Sequence, residues 1–261
     1  MLDEGGRKPP LPTGACVLNT QLTNKTPRIN LTNDSEHLGR HFYGRRKGHP
    51  LSPLQQSVMD SVLPKLRPDV SKPAPQQLTE LFDRSIRNVW LEIGFGGGEH
   101  LAWQAEHHPD VGIIGAEPFV NGMAQLATRV EATGLGNVRL YDDEAQILLN
   151  WLPPNSIARA FILFPDPWPK RRHWKRRIVS PKTIAALARV MIPGAELRVA
   201  TDIADYVRTT LLAVTKNTDF TWPALAPDDW RVRSADWPPT RYEAKAVAAG
   251  RQCYYFRFRR R

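Results

Sequence analysis

The stretch NVWLEIGFGGGEHLAWQAEH, residues 88–107, decides the fold. Its first part is a short apolar run rich in strand formers, its middle is a cluster of glycines, and its last part carries helical spacing from Glu99 to His107. A strand that breaks into a glycine turn and restarts as a helix is the opening unit of a β-α-β crossover. Gly94, Gly96 and Gly98 stand at two-residue steps in that turn. Glycine there lets the backbone approach a ligand closely.

The alternation continues on both sides. Upstream, LTELFD (78–83) reads as a short helix. Downstream come a second strand, VGIIGAEP (111–118), a helix from Val120 to Thr133 closed by Gly134, a third strand, NVRLYDD (137–143), and a helix from Ala145 to Leu152. RAFILFPDP (159–167) is a fourth strand, and SPKTIAALARVM (180–191) is a helix capped by Ser180 with Pro181 at its first position. ELRVATD (196–202) is a fifth strand, DYVRTTLLAVTK (205–216) a helix, FTWPAL (220–225) a candidate sixth strand and QCYYFRFRR (252–260) the last. This pattern predicts an α/β, Rossmann-like fold: a mainly parallel seven-stranded sheet flanked by helices.

Three segments are expected along the chain. Residues 1–37, rich in Pro, Gly, Asn and Thr, read as a loosely ordered tail. Residues 38–76 read as a basic, aromatic arm, a short amphipathic helix from Pro53 to Leu63 and a connector broken by Pro64, Pro68, Pro73 and Pro75. Residues 77–261 form the α/β domain.

The net charge of +10 is clustered: Arg40 and Arg45 to Lys47, a central run, and Arg257 to Arg261. Such clustering points to a polyanionic partner. Cys16 and Cys253 are the only cysteines, which excludes a disulfide framework or a cysteine metal site and suits a cytoplasmic protein. No run approaches the roughly 18 apolar residues of a membrane span, and no signal peptide is legible. The histidines, among them His107, His108 and His173, lack metal-ligand spacing and read as surface residues. No metal and no obligate protein partner are implied.

Acidic residues mark the ends of the predicted strands. A dinucleotide fingerprint would need a glycine at position 99, which is Glu99, and Glu92 would sit poorly beside a pyrophosphate. A carboxylate at Glu92 suits a cationic ligand, and S-adenosylmethionine carries both a sulfonium and an amino group. Glu117 ends the second strand, where an acid can accept hydrogen bonds from ribose hydroxyls. Asp142, Asp143 and Glu144 end the third, where a carboxylate can receive an adenine amino group. All fall at the carboxyl ends of parallel strands, where open α/β sheets bind ligands.

The segment FPDPWPKRRHWKRR, residues 164–177, supplies the other half of a site. Pro165 and Pro167 stiffen the turn that carries Asp166, at the end of the fourth strand and facing the reactive end of the cofactor. Trp168 and Trp174 interleave with Lys170, Arg171, Arg172, Lys175, Arg176 and Arg177, a pattern in which cations hold nucleic-acid phosphates and aromatic faces stack on bases. FPDPW is similar to the D/N-P-P-Y/F/W turn of amino-methylating nucleic-acid enzymes, but a proline precedes the acid and only one follows it. That departure argues against exocyclic amino methylation.

With these residues in hand, the chain resembles the bacterial tRNA (guanine-N7)-methyltransferases, which have the class I methyltransferase fold. The resemblance rests on LEIGFGGG (91–98), GAE (115–117), FPDPWPKRRHWKRRIV (164–179), ATD (200–202) and TRYE (240–243). It implies that Glu92, Glu117, Asp143 and Asp166, with the turn at Gly94 and Gly96, contact S-adenosylmethionine, and that Asp166 is the catalytic residue. It further implies that Lys170, Asp202, Thr240, Arg241, Tyr242 and Glu243 contact tRNA, and that the product is N7-methylguanosine at variable-loop position 46. Where several relatives have His after FPDPW, this chain has Pro169.

The chemistry agrees. Guanine N7 offers an in-plane lone pair and no proton, so catalysis is mostly positioning. A fixed carboxylate at Asp166 offsets the positive charge that develops on the purine. Asp166 or Asp202 can accept from the guanine N1 and N2 edge; Asp202 can alternatively cap a helix starting at Ile203. Tyr242 can stack on a base or pack in the fold. The basic run and the arm at Arg45 to Lys47 read tRNA backbone and shape. Two further readings are methylation of another RNA or of an exocyclic amino group, and a noncatalytic RNA-binding protein of the same fold. Intact Glu92, Glu117 and Asp166 argue against the last.

Overall fold

The chain order of strands and the sheet order differ at two places, and one of them makes the site. In the computed structural model, which describes residues 44–261, the strands are β1 (Asn88–Ile93), β2 (Val111–Ala116), β3 (Val138–Tyr141), β4 (Ile157–Leu163), β5 (Met191–Thr201), β6 (Phe220–Thr221) and β7 (Tyr254–Arg260). The described residues form one seven-stranded sheet in the order β3-β2-β1-β4-β5-β7-β6. Pairing is parallel from β3 through β5, and β7 runs antiparallel to both β5 and β6. The chain therefore winds outward from β1 to β3, then returns to lay β4 on the other side of β1. The crevice at the carboxyl ends of β1 and β4 is the topological switch point, where this architecture leaves room for a ligand.

Both faces of the sheet are covered, as parallel strands require. Along β1, Val89, Leu91 and Ile93 point to one core, which also holds Leu148, Ile184, Leu187, Leu197 and Phe256. Trp90 points to the other, with Leu101, Leu126, Val130 and Phe161. The first core is roofed by α5 (Ala145–Trp151), α6 (Pro181–Val190) and α7 (Ala204–Thr215). The second is roofed by α3 (Glu99–His107), α4 (Val120–Thr133) and α9 (Arg241–Ala248), with α1 (Pro53–Ser61) packed on α4. Ser52 begins α1 with a reciprocal capping box to Gln55, and Val58 buries in the second core. α2 (Leu63–Leu66) follows, then the connector.

Most expected elements stand within a residue or two. α3, α4 and the cap at Ser180 match, with Ser180 Oγ accepting the Thr183 amide. Four differ. Residues 78–81 form a 3-10 turn instead of an α-helix, and the candidate sixth strand is two residues long. The fifth strand starts at Met191, with an irregular register opposite Ile157 to Arg159. The short α8 (Asp228–Arg231) and α9 lie where no helix was expected. The tail at 1–37 lies outside the described residues.

The glycine turn after β1 is left-handed at Gly94, Gly96 and Gly98, with φ of 74°, 58° and 76°. Its closest neighbour is the first turn of α4: a Cβ on Gly122 would stand 2.1 Å from the Gly96 carbonyl oxygen. Gly122→Ala must therefore push helix and turn apart. We expect a loss of about 1–3 kcal/mol, read as a melting-temperature drop by scanning fluorimetry, whereas Gly136→Ala, with only Arg84 nearby and no closer than 3.7 Å, leaves it unchanged.

Candidate active site

Three carboxylates gather at the switch point. Glu92 is buried on β1, in register with Gly115 of β2 and Phe161 of β4. Glu117 follows β2 and is also buried; its Oε2 accepts the Gly96 amide at 2.8 Å and its Oε1 the Phe119 amide at 2.9 Å. Burial raises the Glu117 pKa above the ordinary carboxylate value; the two amides oppose this, and the charges of Asp166 and Glu92 add to it. The site is thus short of positive charge, which is the fit expected of a pocket for a cation.

His100 is the neighbour that orders Glu92. Its Nδ1 lies 2.7 Å from Glu92 Oε2 and its Nε2 lies 3.1 Å from Gln104 Nε2. Since an amide nitrogen only donates, Nε2 accepts and Nδ1 carries the proton that goes to Glu92. Gln104 Nε2 also donates to the Asp236 carbonyl at 3.1 Å, and Trp237 packs edge-on against the His100 ring. Asp236 in turn grips Arg198 of β5 through both carboxylate oxygens, at 2.9 and 2.6 Å. His100 is buried, contrary to the expectation that the histidines lie at the surface. A lone histidine in the first turn of the helix after a glycine loop has no spacing signal that would have revealed it.

Asp143 and Asp142 separate cleanly. Asp143 pairs with Arg46 and accepts the Glu144 amide at 3.0 Å. Asp142 turns toward Arg67, 3.0 Å away, on the side of the connector. The arm that supplies Arg46 is itself fixed to the start of α4: the Val120 amide donates to the Arg46 carbonyl and Asn121 bonds Gly48 and His49. Arg46 thus pairs with Asp143 while its side chain stays 41% exposed.

The FPDPW turn leaves the sheet after Leu163, so Asp166 stands three residues beyond the strand it was expected to end. Phe164 and Trp168 take φ of 49° and 41°, a left-handed backbone that non-glycine residues adopt at a cost. Arg177 holds them there. Its guanidinium donates to the Pro167 carbonyl at 3.0 Å and to Thr209 Oγ1, and pairs with Asp205 at 2.5 Å. It also lies over the rings of Trp174 and Tyr206. Arg177 is buried and is therefore an internal strut, correcting the expectation that it grips RNA. Asp166 has no hydrogen-bond partner among the described residues and is exposed, yet enough protein surrounds its carboxyl for desolvation to raise its pKa. Lys170 is exposed beside it.

The substrate motif at 240–243 begins α9. Thr240 caps it, Oγ1 accepting the Glu243 amide at 3.1 Å. Arg241 and Tyr242 lie directly against the glycine turn: a Cβ on Gly96 would meet Tyr242 at 3.1 Å, and one on Gly97 would meet Arg241 at 3.0 Å. Glu243 is buried, with Oε1 accepting from Arg233 at 2.9 Å and from the Tyr255 hydroxyl at 2.7 Å, while Oε2 has no partner. Asp202 pairs with Arg251 at 2.6 Å. It does not cap a helix, since α7 starts at Ala204 without a side-chain cap. Among the described residues, no group of three or more His, Cys, Asp or Glu is placed to hold a metal ion.

The sheet order with its antiparallel β7, and the acids at the switch point, define a class I methyltransferase. The crystal structure of the 16S rRNA methyltransferase KamB has this fold, with a TM-score of 0.51 at 15% identity over 72% of this chain and 95% of that one. A family described as "Putative methyltransferase" matches residues 87–256. Proteins named tRNA (guanine-N(7)-)-methyltransferase from Chelativorans sp. (strain BNC1) and Agrobacterium fabrum are each 49% identical, over 83% and 84% of this chain and 94% and 95% of theirs. The chain belongs to the tRNA (guanine-N(7)-)-methyltransferase family.

Arg177→Met leaves the Pro167 carbonyl, Thr209 and Asp205 without their partner. Because Asp205 is partly open to solvent, we expect a loss near the lower end for a buried pair, about 2–3 kcal/mol. The loop should also become sensitive to trypsin at Lys170 to Lys175, as limited proteolysis with mass spectrometry would detect; Arg177→Lys should not restore protection, since one ammonium cannot span three acceptors.

Proposed function

We propose that this chain transfers a methyl group from S-adenosylmethionine to N7 of a guanine in tRNA, at variable-loop position 46, without a metal ion and in the cytoplasm. The observation that carries the reading is the convergence of Glu92, Glu117 and Asp166 beside a glycine turn, where the charges of Asp166 and Glu92 add to the cost of ionising buried Glu117. Membership of the family supports the choice of tRNA as substrate. Residues 77–261 carry the catalytic domain in this reading, and the arm serves its adenine end.

S-adenosylmethionine, when bound, supplies an electrophilic methyl on a cationic sulfur. Glu92, with Oε2 held by His100, uses its remaining oxygen for the cofactor amino group. Glu117 takes the ribose hydroxyls and Asp143 the adenine amino group, in exchange for Arg46. Gly94 and Gly96 keep the turn bare of side chains where the cofactor lies. Asp166 faces the target base: N7 has no proton to lose, so the carboxylate's work is to orient the purine and offset its developing positive charge. Arg241 and Tyr242 frame the base from the glycine turn, with Thr240 and Glu243 holding their helix in place. Glu243 Oε2 and Asp202 are the acceptors for the guanine N1 and N2 edge, and Lys170 holds an adjacent phosphate.

Purified protein with S-adenosylmethionine and an unmodified tRNA transcript should yield N7-methylguanosine in the nucleoside digest by mass spectrometry; a methyl on another atom, or no product despite cofactor binding, would sink the reading. Asp166→Asn should lower kcat by about 10²- to 10³-fold while cofactor affinity changes little. The active form of Asp166 is ionised and its pKa is raised. The rate of the wild-type protein should therefore fall as pH drops through a value above the ordinary carboxylate range, and that acid limb should vanish in the Asn variant.

A further inference from the structure

A groove of about 490 Å³ runs between α7 and the 3-10 turn Arg171–Arg176. None of the residues lining it belongs to the glycine turn or to the acids at the strand ends. From α7 the stripe Arg208, Leu212, Lys216 faces it at i, i+4 and i+8, a cation, an apolar side chain and a cation along one helix face. From the opposite side Arg171 and Trp174 face it at i and i+3, which a 3-10 turn brings into line.

The charges in this groove are unbalanced. Arg171, Arg208 and Lys216 have no ion pair or hydrogen bond from their side chains among the described residues, and all three are exposed. The one carboxylate in the lining, Asp205, is held by Arg177. Trp174 is 37% exposed, with the Arg177 guanidinium 4.9 Å from its ring centre. A buried cation against the indole fixes its plane and leaves the rest of the ring for an incoming group.

We propose that this groove binds one unpaired nucleotide of the RNA substrate, other than the base that is methylated, with its base stacked on Trp174 and its flanking phosphates held by Arg208, Lys216 and Arg171. The inference rests on tRNA being the substrate. Arg208 and Lys216 are separated by about 12 Å along the helix, too far to share a single phosphate, which favours a stretch of backbone over a free anion. Stacking requires a base already out of a duplex, so the partner is a loop or bulge of the folded RNA. The site gives the enzyme a second grip on tRNA shape, which phosphate contacts near Lys170 alone would not supply.

The test uses the full chain and an unmodified tRNA transcript, with binding measured by anisotropy across a salt series. Arg208→Gln with Lys216→Gln should weaken tRNA binding and reduce the magnitude of the slope of log K against log salt by about 1.4, the value for two single-strand phosphate contacts. Trp174→Ala should weaken it roughly 5- to 150-fold, and Trp174→Phe should recover most of the loss. S-adenosylmethionine affinity and kcat at saturating tRNA should stay at wild-type values in the double variant. Should Trp174→Ala disturb the fold, the surface pair Arg208 and Lys216 still decides. Unchanged affinity and slope in the double variant, while the wild-type protein makes N7-methylguanosine in tRNA, would overturn the groove and leave the activity standing. Binding of an oligoglutamate peptide that is lost in the double variant, with tRNA affinity intact, would also overturn it, in favour of an acidic protein partner. Absence of N7-methylguanosine with the wild-type protein would instead refute the reading of the activity.

Discussion

A buried carboxylate holding two backbone amides is the constraint on which the rest of the site depends. Glu117 reaches back from the end of β2 to the Gly96 amide and forward to the Phe119 amide, so it ties the turn after β1 to the entry of α4. Those bonds fix the turn, yet they do not fully offset the cost of burying the charge, because the pKa of Glu117 is still raised. Glu92 and Asp166 add their own negative potential. A pocket built this way is folded but electrostatically unfinished, and a cationic ligand completes it. Binding energy for the cofactor is in this sense stored by the fold.

The two halves of the site are joined by a continuous path. Glu92 bonds His100, His100 bonds Gln104, Gln104 bonds the Asp236 carbonyl, and Asp236 bonds Arg198. Four residues past Asp236 the chain enters α9, whose Arg241 and Tyr242 rest on the glycine turn that Glu117 secures. Glu92 and the start of α9 are therefore linked through a partly buried polar chain and a short stretch of backbone. Such a chain carries a high cost if half satisfied, and its groups are mostly paired, which sets the position of α9 relative to Glu92.

Much of this was legible in the sequence, and the parts that were not share a cause. Ser180 and Pro181 declare a helix start and Gly134 a helix end because caps are local chemistry. The glycine turn and the acids after each strand are legible because strand ends converge in a parallel sheet. Arg177 was not: six basic residues look alike in a row, and only packing against Trp174, Tyr206 and Asp205 turns one of them inward. The pairing of Arg46 is hidden in the sequence for the same reason, its partner Asp143 being far along the chain. The helix at 241–248 did leave a local sign, since Thr240 with Glu243 three residues on is a capping pattern. There the motif was read for its ligand and its meaning for the backbone was passed over. The short β6 shows the converse, a run with strand character that pairs over only two residues.

The position of β7 sets an order of events during synthesis. Of the seven strands it is made last, yet it lies between β5 and β6 and gives Phe256 and Phe258 to the main core. Until it has left the ribosome, β5 shows an open edge and β6 has no partner in the sheet. The partner of Glu196 from β7, Arg257, is also missing, and Glu243 lacks Tyr255. A nascent chain that ends before β7 can pair β1 to β5, but it cannot anchor α9 through Tyr255. The docking of α9 thus arrives after the parallel half of the sheet has taken shape, and the exposed edge of β5 is the point at which a folding chaperone or a second nascent chain would meet this protein.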